Sequence, residues 1–427
     1  MKTFYIKTLG CKVNRYESDG IATELIESGY KRAETIQDAQ TCIINTCTVT
    51  SRAGMQSRQA IRKIIKTNPH AKIIVTGCHA EVEPGLINKI DNIDAVVGHE
   101  NKFKIGEMVK TGSIIKEDKK KGFKPFKHLV RGKMTRAYLK IQDGCNSCCT
   151  YCIIPRARGR SSSMEEKDII TNLKKLGLSG CNEAVLTGIH LGAWGRDLNP
   201  HLNFSSLLNN LMKLKSIPRL RISSIEPNEL TDTIISLAKN SHKLCDHFHI
   251  PLQSGDDTIL KKMKRPYDTI FFKSLIDKIN TILPRVSIGL DVIAGFPGET
   301  EEHFINTYSF IKDLKISYLH VFPFSPRKGT KAFEFNGQVN NSIIKSRCSL
   351  LRKLSREKKK EFEKSMININ LKGVVQTRRD KTTGLLVAVT SNYLSVLLKG
   401  DDDLKGKIIG IIPEKWDKDK RLHGKIN

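Results

Sequence analysis

The sequence predicts an α/β chain in three parts: an N-terminal parallel α/β domain, a central partial (βα)6 barrel and a small C-terminal β-barrel of the OB-like kind. Three observations predict it. Strand-like and helix-like segments alternate through roughly the first hundred residues. A second alternation, of six strand–helix units, begins at Arg136, and about the last sixty residues turn to short strands separated by glycine and aspartate turns.

In the first part, FYIKTLGC (4–11), CIINTC (42–47) and KIIVTGC (72–78) read as strands, while 18–28 and 53–67 carry apolar residues at helical spacing. Strand–helix–strand crossovers make the sheet parallel, so the C-terminal ends of its strands share one edge, where open α/β sheets bind ligands. Each strand ends in a cysteine, Cys11, Cys47 or Cys78, so three thiols distant in sequence should converge. Between Lys116 and Lys133 a lysine run with glycines and one proline fits an exposed linker, setting domain bounds at 1–113 and 131–363. Beyond it AYLKIQDG, EAVLTGI, LRISSIE, FHIPLQ, VSIGLDVIAGF and YLHVFPF supply six strands, and such a barrel carries its active site at their C-terminal ends. Residues 342–364 close this domain as a helix, with Leu350, Leu351, Leu354 and Phe362 near one face. In 366–427, GLLVAVT, YLSVLL and KIIGII are the strands of the last barrel.

The 427 residues are 39% hydrophobic and 27% charged, ordinary globular values, and no apolar run approaches the roughly 18 residues of a membrane span. Residues 1–10 lack the apolar core and cleavage site of a secretory signal. The expectation is therefore a cytoplasmic chain, with no membrane partner and with its cysteines reduced. Lys+Arg is 72 against 44 Asp+Glu, a formal charge of +28, which favours a polyanionic partner and places nucleic acid first.

The densest chemical signal is GCNSCCTYCIIPRARGR (144–160), where Cys145, Cys149 and Cys152 form a C-x3-C-x2-C triplet in the loop after the first barrel strand. Three thiolates on a four-iron cluster leave one iron open, whereas a closed zinc site wants a fourth protein ligand. The alternatives to a cluster are a zinc knuckle or a reduced cysteine group, and a Cys145, Cys148, Cys152 register is formally open beside the favoured one. The triplet, with Tyr151 before its last cysteine, resembles the radical S-adenosylmethionine superfamily. That resemblance implies a 4Fe-4S cluster whose unique iron is chelated by the methionine end of S-adenosylmethionine. Cys148 is then a bystander.

GCKVN (10–14), NTCTVT (45–50) and TGC (76–78) further resemble the N-terminal domain of methylthiotransferases, in which the matching cysteines hold a second 4Fe-4S cluster. The tail resembles the family's TRAM RNA-binding barrel. TLGCKVNRYES, NTCTVT, KIQDGCN, ARGRS and VLTGIHLGAWG look most like the branch acting on N6-threonylcarbamoyladenosine of tRNA, with departures at Cys148, Arg156 and Ser162. The resemblance implies radical transfer of a methylthio group to C2 of that base at position 37, beside the anticodon. One S-adenosylmethionine methylates a sulfur at the N-terminal cluster, and a second is reductively cleaved at the core cluster. The implied partners are the tRNA anticodon loop, an electron donor such as flavodoxin or ferredoxin, and a sulfur source that the sequence does not identify. The rivals are a methylthiotransferase for N6-isopentenyladenosine and a catalytically idle, metal-stabilised RNA-binding protein. Cys42, Cys181, Cys245 and Cys348 match no ligand context and read as small buried hydrophobes.

Polar groups at the barrel strand ends supply expected S-adenosylmethionine contacts: Thr187 and Gly188; Ser223, Ser224 and Glu226; Gln253; and Asp291 with Ile293. Gly295, Pro297 and Gly298 shape a turn nearby. Threonylcarbamoyl carries a carboxylate, which needs a cation or several donors when buried; Arg156 and then Arg158 are the assigned groups, each with phosphate or a nearby acid as its other use. His190, His249 and His320 are read as structural.

Overall fold

The computed structural model describes residues 2–112, 122–126 and 135–427. In the N-terminal domain β1 (Thr3–Thr8), α1 (Lys12–Glu27), β2 (Lys31–Arg32), β3 (Thr41–Thr46), α2 (Ser51–Thr67), β4 (Lys72–Gly77), α3 (Cys78–Val82), α4 (Pro84–Ile87), β5 (Ala95–Val97) and α5 (Ile105–Thr111) follow in order. The five strands form one parallel sheet, β2-β1-β3-β4-β5. Its central strand β3 is buried throughout. Helix α1 begins at Lys12, well before residue 18. Asn14 and Glu17 are buried on it, and two inward polar residues break the apolar spacing that marks a helix in sequence. Helix α2 starts where expected, its Thr50 side chain accepting from the Ala53 N–H.

Most of the lysine-rich stretch 116–133 lies outside the described residues. Phe126, expected in an exposed linker, is instead buried. Its ring stands edge-on to Tyr16, 6.0 Å between centroids, over Gly20, where a Cβ would meet it at 2.3 Å. Apolar burial at the α1 face overrides the solvated character of the lysines around it.

The central part has β6 (Arg136–Lys140), β7 (Gln142–Asp143), α6 (Ile154–Arg158), β8 (Ser162–Ser163), α7 (Glu166–Leu178), β9 (Glu183–Thr187), α8 (Phe204–Met212), β10 (Arg219–Ile222), α9 (Asp232–Asn240), β11 (His247–Gln253), α10 (Asp257–Met263), α11 (Thr269–Ile282), β12 (Ser287–Ala294), α12 (Glu301–Asp313), β13 (Tyr318–Pro323) and α13 (Asn341–Ser365). The six expected barrel strands all form. They divide into two three-stranded parallel sheets, β10-β9-β6 and β11-β12-β13, with the bridges Leu220–Leu244 and Ser224–His249 between them. Helix α13 packs against β13, and Arg347 on it pairs with Glu299 at 2.7 Å.

The C-terminal barrel is closed, in the order β14 (Leu371–Val375), β15 (Leu386–Thr390), β16 (Ser395–Leu398), β18 (Leu422–Ile426), β17 (Ile408–Trp416). Its first and last strands were not among those expected; both are short and carry glycine or lysine where strand residues would be apolar or β-branched. Arg219 and Arg221 fasten this barrel to the core. From β10 they donate to the carbonyls of Val389, Thr390 and Ser391 while sharing the buried carboxylate of Glu183.

Candidate active site

The parallel N-terminal sheet delivers its three cysteines just past the strand ends. Cys11 sits before α1, Cys47 follows β3, and Cys78 opens α3. Close approach is enforced by glycine. Gly10 and Gly77, each directly before a cysteine, both have φ of 95°. A Cβ on Gly10 would stand 2.9 Å from the Cys47 Sγ, and one on Gly77 would lie 2.4 Å from the Asn45 Oδ1 and the Thr46 carbonyl. Asn14 braces the same corner, donating to the carbonyls of Leu9 (2.7 Å) and Thr46 (3.0 Å). The Cys47 N–H donates to the Ser57 hydroxyl at 3.1 Å. Burial pushes the Cys47 thiol up to about 11 and raises Cys78, against the pull of the nearby Arg158 guanidinium.

The core triplet is local. Strands β7 and β8 pair antiparallel, Gln142 with Ser163 and Asp143 with Ser162, and close the base of the loop that carries it. The Gln142 amide donates to the Asp143 and Gly144 carbonyls and to the Ser161 hydroxyl, and its oxygen accepts from the His190 N–H. Cys145 Sγ is 3.5 Å from the His190 ring and accepts from the Ser147 N–H at 3.3 Å. Burial opposes ionisation of this thiol, yet those contacts hold it below the ordinary cysteine value; His190 in turn is pushed up to about 10, against its burial, by Cys145 and Glu229. Arg265 donates to the Cys149 Sγ at 3.2 Å and to Glu226. Cys152 is enclosed and pushed up to about 12 by desolvation, and it interacts electrostatically with Cys149 and Cys145. Cys148 is exposed, with its thiol toward the Asn146 carbonyl.

Each triplet offers three soft thiol donors, and the additional thiol of Cys148 in the core loop is exposed. Among the described residues, the groups that bring three ligand atoms within 4.8 Å are His249, Asp291 and His320, and Glu17, His99 and Asp143; neither contains a cysteine. Three thiolates can each take one iron of a four-iron cluster, whereas a closed zinc site wants a fourth protein ligand. The donor chemistry therefore fits clusters.

One cavity touches both domains. Val49 and Thr50, just after Cys47, form one wall; Tyr151, Cys152, Ile153 and Ile154 form another; Gln253, Asp291, Ile293 and Phe322 to Ser325 come from the barrel strands. Gln253 takes a φ of 69° to turn into it, and Ser51 N–H donates to the Ser325 hydroxyl at its edge (2.8 Å). Asp291 is held below the usual carboxylate range by His249 and His320, at 3.0 and 3.3 Å, although burial opposes this.

Of the expected S-adenosylmethionine contacts, Gln253, Asp291 and Ile293 line this cavity. Thr187, Gly188, Ser223 and Ser224 do not. Thr187 and Ser223 are buried, and Ser224 is hydrogen-bonded to His249 at 2.7 Å. Glu226 is occupied by Arg265 beside Cys149. Arg156 is exposed and donates to the Lys328 carbonyl at 3.0 Å. The expectation for Arg158 as a substrate contact is corrected. Its side chain has no exposed surface and is held by Glu17, Asp143 and Asn14, so it takes up the nearby-acid use instead. Cys42, Cys181, Cys245 and Cys348 are buried, as expected of packing residues. Sequence reasoning missed Arg265, Glu229 and the polar face of α1. Arg265 is 113 residues past the triplet's last member and no spacing rule joins them; Asn14 and Glu17, within the GCKVNRYE stretch, were signalled by polar residues clustered directly after a strand-end cysteine.

Residues 3–98 match the family described as Uncharacterized protein family UPF0004, and residues 139–311 the Radical SAM superfamily. The threonylcarbamoyladenosine tRNA methylthiotransferase MtaB of Bacillus subtilis is 40% identical, over 96% of this chain and 93% of its own length. The tRNA-2-methylthio-N(6)-dimethylallyladenosine synthase of Clostridium tetani is 33% identical over 96% and 93%. Among solved structures, the radical S-adenosylmethionine methyltransferase TsrM of Kitasatospora setae has the same fold, with a TM-score of 0.53 at 13% identity, covering 76% of this chain and 75% of that one. With these two domains come two 4Fe-4S clusters and S-adenosylmethionine as cofactors. The reading as a catalytically idle RNA-binding protein falls, and the chain belongs to the radical S-adenosylmethionine tRNA methylthiotransferase family.

Proposed function

We propose that this enzyme transfers a methylthio group to C2 of N6-threonylcarbamoyladenosine at position 37 of tRNA, with Cys145, Cys149 and Cys152 holding the core cluster and Cys11, Cys47 and Cys78 the N-terminal one. The observation that carries the reading is a cavity bounded by Cys152 on one side and by Val49 and Thr50, two and three residues past Cys47, on the other. A substrate base in it would lie between the two triplets. When bound, the clusters and S-adenosylmethionine supply one-electron chemistry at a C–H bond and the site of sulfur transfer. The chain's own residues do the rest. Arg265 and His190 favour the thiolate forms of Cys149 and Cys145. Asp291 and Gln253 offer an anionic acceptor and an amide to the hydroxyl and amino groups of S-adenosylmethionine, and Tyr151, Ile293 and Phe324 give the cavity apolar walls.

The substrate is supported by the 40% identical relative, whose name specifies threonylcarbamoyladenosine. Arg156, exposed in the middle of α6, is assigned to the threonylcarbamoyl carboxylate. The tRNA backbone is assigned to the C-terminal barrel and the lysines of α13, in the cytoplasm, with flavodoxin or ferredoxin as electron donor. No described helix is long and apolar enough to cross a membrane. Mass spectrometry of tRNA nucleosides from cells with and without the gene tests the proposal. Deletion should abolish 2-methylthio-threonylcarbamoyladenosine and accumulate its unthiolated precursor. Loss of the 2-methylthio-isopentenyl product alone would overturn the substrate assignment.

A further inference from the structure

Between the two triplets lies a buried ion network whose charges do not cancel. Its carboxylates are Glu17 and Asp143, and its cations are Lys102, Lys140 and Arg158, all nearly or fully excluded from solvent. Lys102 lies 2.5 Å from Glu17, Lys140 2.6 Å from Asp143, and Arg158 bridges both acids at 2.9 and 3.0 Å. His99, 3.6 Å from Asp143, is kept neutral because burial lowers it to about 3. Three cations face two anions. Each cation has a carboxylate partner, but the network carries one positive charge in excess, and excess buried charge is costly unless a counter-ion is present.

The position of that excess identifies the counter-ion. Arg158 belongs to α6 of the core, yet its guanidinium reaches into the N-terminal domain and donates to the Asn14 Oδ1 at 2.5 Å. The same Asn14 oxygen lies 3.9 Å from the Cys11 Sγ, and the Asn14 amide holds the carbonyls just before Cys11 and Cys47. The buried Arg158 Nε has no hydrogen-bond partner.

We propose that Arg158 is a positioning residue that supplies, from the core domain, the counter-charge of the anionic N-terminal cluster, and thereby sets that cluster's reduction potential. The inference rests on the assignment of Cys11, Cys47 and Cys78 as its ligands. A four-iron cluster in its 2+ state with three thiolates carries one net negative charge, matching the excess. Potentials of such clusters follow the net charge and hydrogen bonding around them, so a fixed cation favours uptake of the next electron. The N-terminal site is then electrostatically complete only when the two domains are docked.

The test is a redox titration, followed by electron paramagnetic resonance, of full-length reconstituted protein carrying Cys145→Ala, Cys149→Ala and Cys152→Ala, with Ti(III) citrate as the one-electron reductant. Arg158→Gln should lower the equilibrium constant for reduction at least tenfold, about 59 mV for a one-electron couple. Glu17→Gln removes a negative charge and should shift it the opposite way. Arg158→Lys, which keeps the charge, should stay within roughly threefold of the parent. A purely structural network would not give opposite signs. Equal potentials with iron retained, or shifts of both glutamine variants in one direction, would overturn the proposal. Should Arg158→Gln fail to hold iron, the sign for Glu17→Gln decides alone, upward in support and otherwise against. Iron that persists when Cys11, Cys47 and Cys78 are replaced as well, in this protein already lacking the core cysteines, would defeat the ligand assignment instead, a separate result.

Discussion

The two cysteine triplets of this chain solve one problem by opposite means. The core triplet spans eight residues of a single loop, and its first two thiols each find a partner nearby, His190 for Cys145 and Arg265 for Cys149. The N-terminal triplet spans three crossovers of a parallel sheet, has two of its three thiols buried, and borrows a guanidinium from the other domain. The first is set by spacing and the second by topology. Loss of tertiary structure should therefore scatter the N-terminal thiols while leaving the core ones close together.

The largest expected effect lies in the core. Cys149→Ala should abolish reductive cleavage of S-adenosylmethionine, while Cys148→Ala should leave it unchanged, measured as 5'-deoxyadenosine formed under dithionite. A reversed result would exchange the two cysteines in the ligand set. Next in size is the junction. Glu17→Ala leaves Arg158, Lys102 and Lys140 facing one carboxylate, and breaking a buried pair this way costs about 3–5 kcal/mol. Urea unfolding should show this loss, with the N-terminal domain unfolding first; a change within about 0.5 kcal/mol would contradict the network's role.

The barrel junction answers to pH. Burial pushes Glu183 up, but Arg221, Arg219 and Arg136 overcome it and lower it to about 2, below the ordinary value of 4.5. A depressed carboxylate stabilises the fold above its unfolded pKa and ceases to do so as pH falls through its folded one. On the order of 3 kcal/mol should thus be lost between about pH 5 and pH 2. Glu183→Gln should remove that acid-dependent part in a pH series of thermal melts. The smallest and least local effect is that of charge on RNA. Binding to tRNA should weaken steeply with salt and almost independently of sequence, because phosphate contacts position without specifying. Truncation after Met366 should reduce this binding more than it reduces S-adenosylmethionine cleavage.

The same contrast explains what could be read from the chain before its fold was known. The six barrel strands, the closing helix and the core triplet follow local rules of period and spacing, and all are found where expected. The convergence of Cys11, Cys47 and Cys78 was also legible, since parallel strands share one edge. Helix α1 was read too short because Asn14 and Glu17 face inward to an ion network contributed partly by residues 140–158. Arg158 was assigned to substrate because a basic residue past a cluster loop looks the same in sequence whether it faces a cavity or a buried acid. Phe126 was hidden by its lysine neighbours. In each case the missing information was the chemistry of a partner distant in sequence.

The central claim, two independent clusters held by two differently built triplets, is tested most directly by replacing Cys11, Cys47 and Cys78 together with alanine and measuring iron and S-adenosylmethionine cleavage in the reconstituted protein. The account predicts that about half the iron remains and that reductive cleavage persists, because each cluster has its own thiolates. Loss of all the iron, or retention of all of it, would contradict the account.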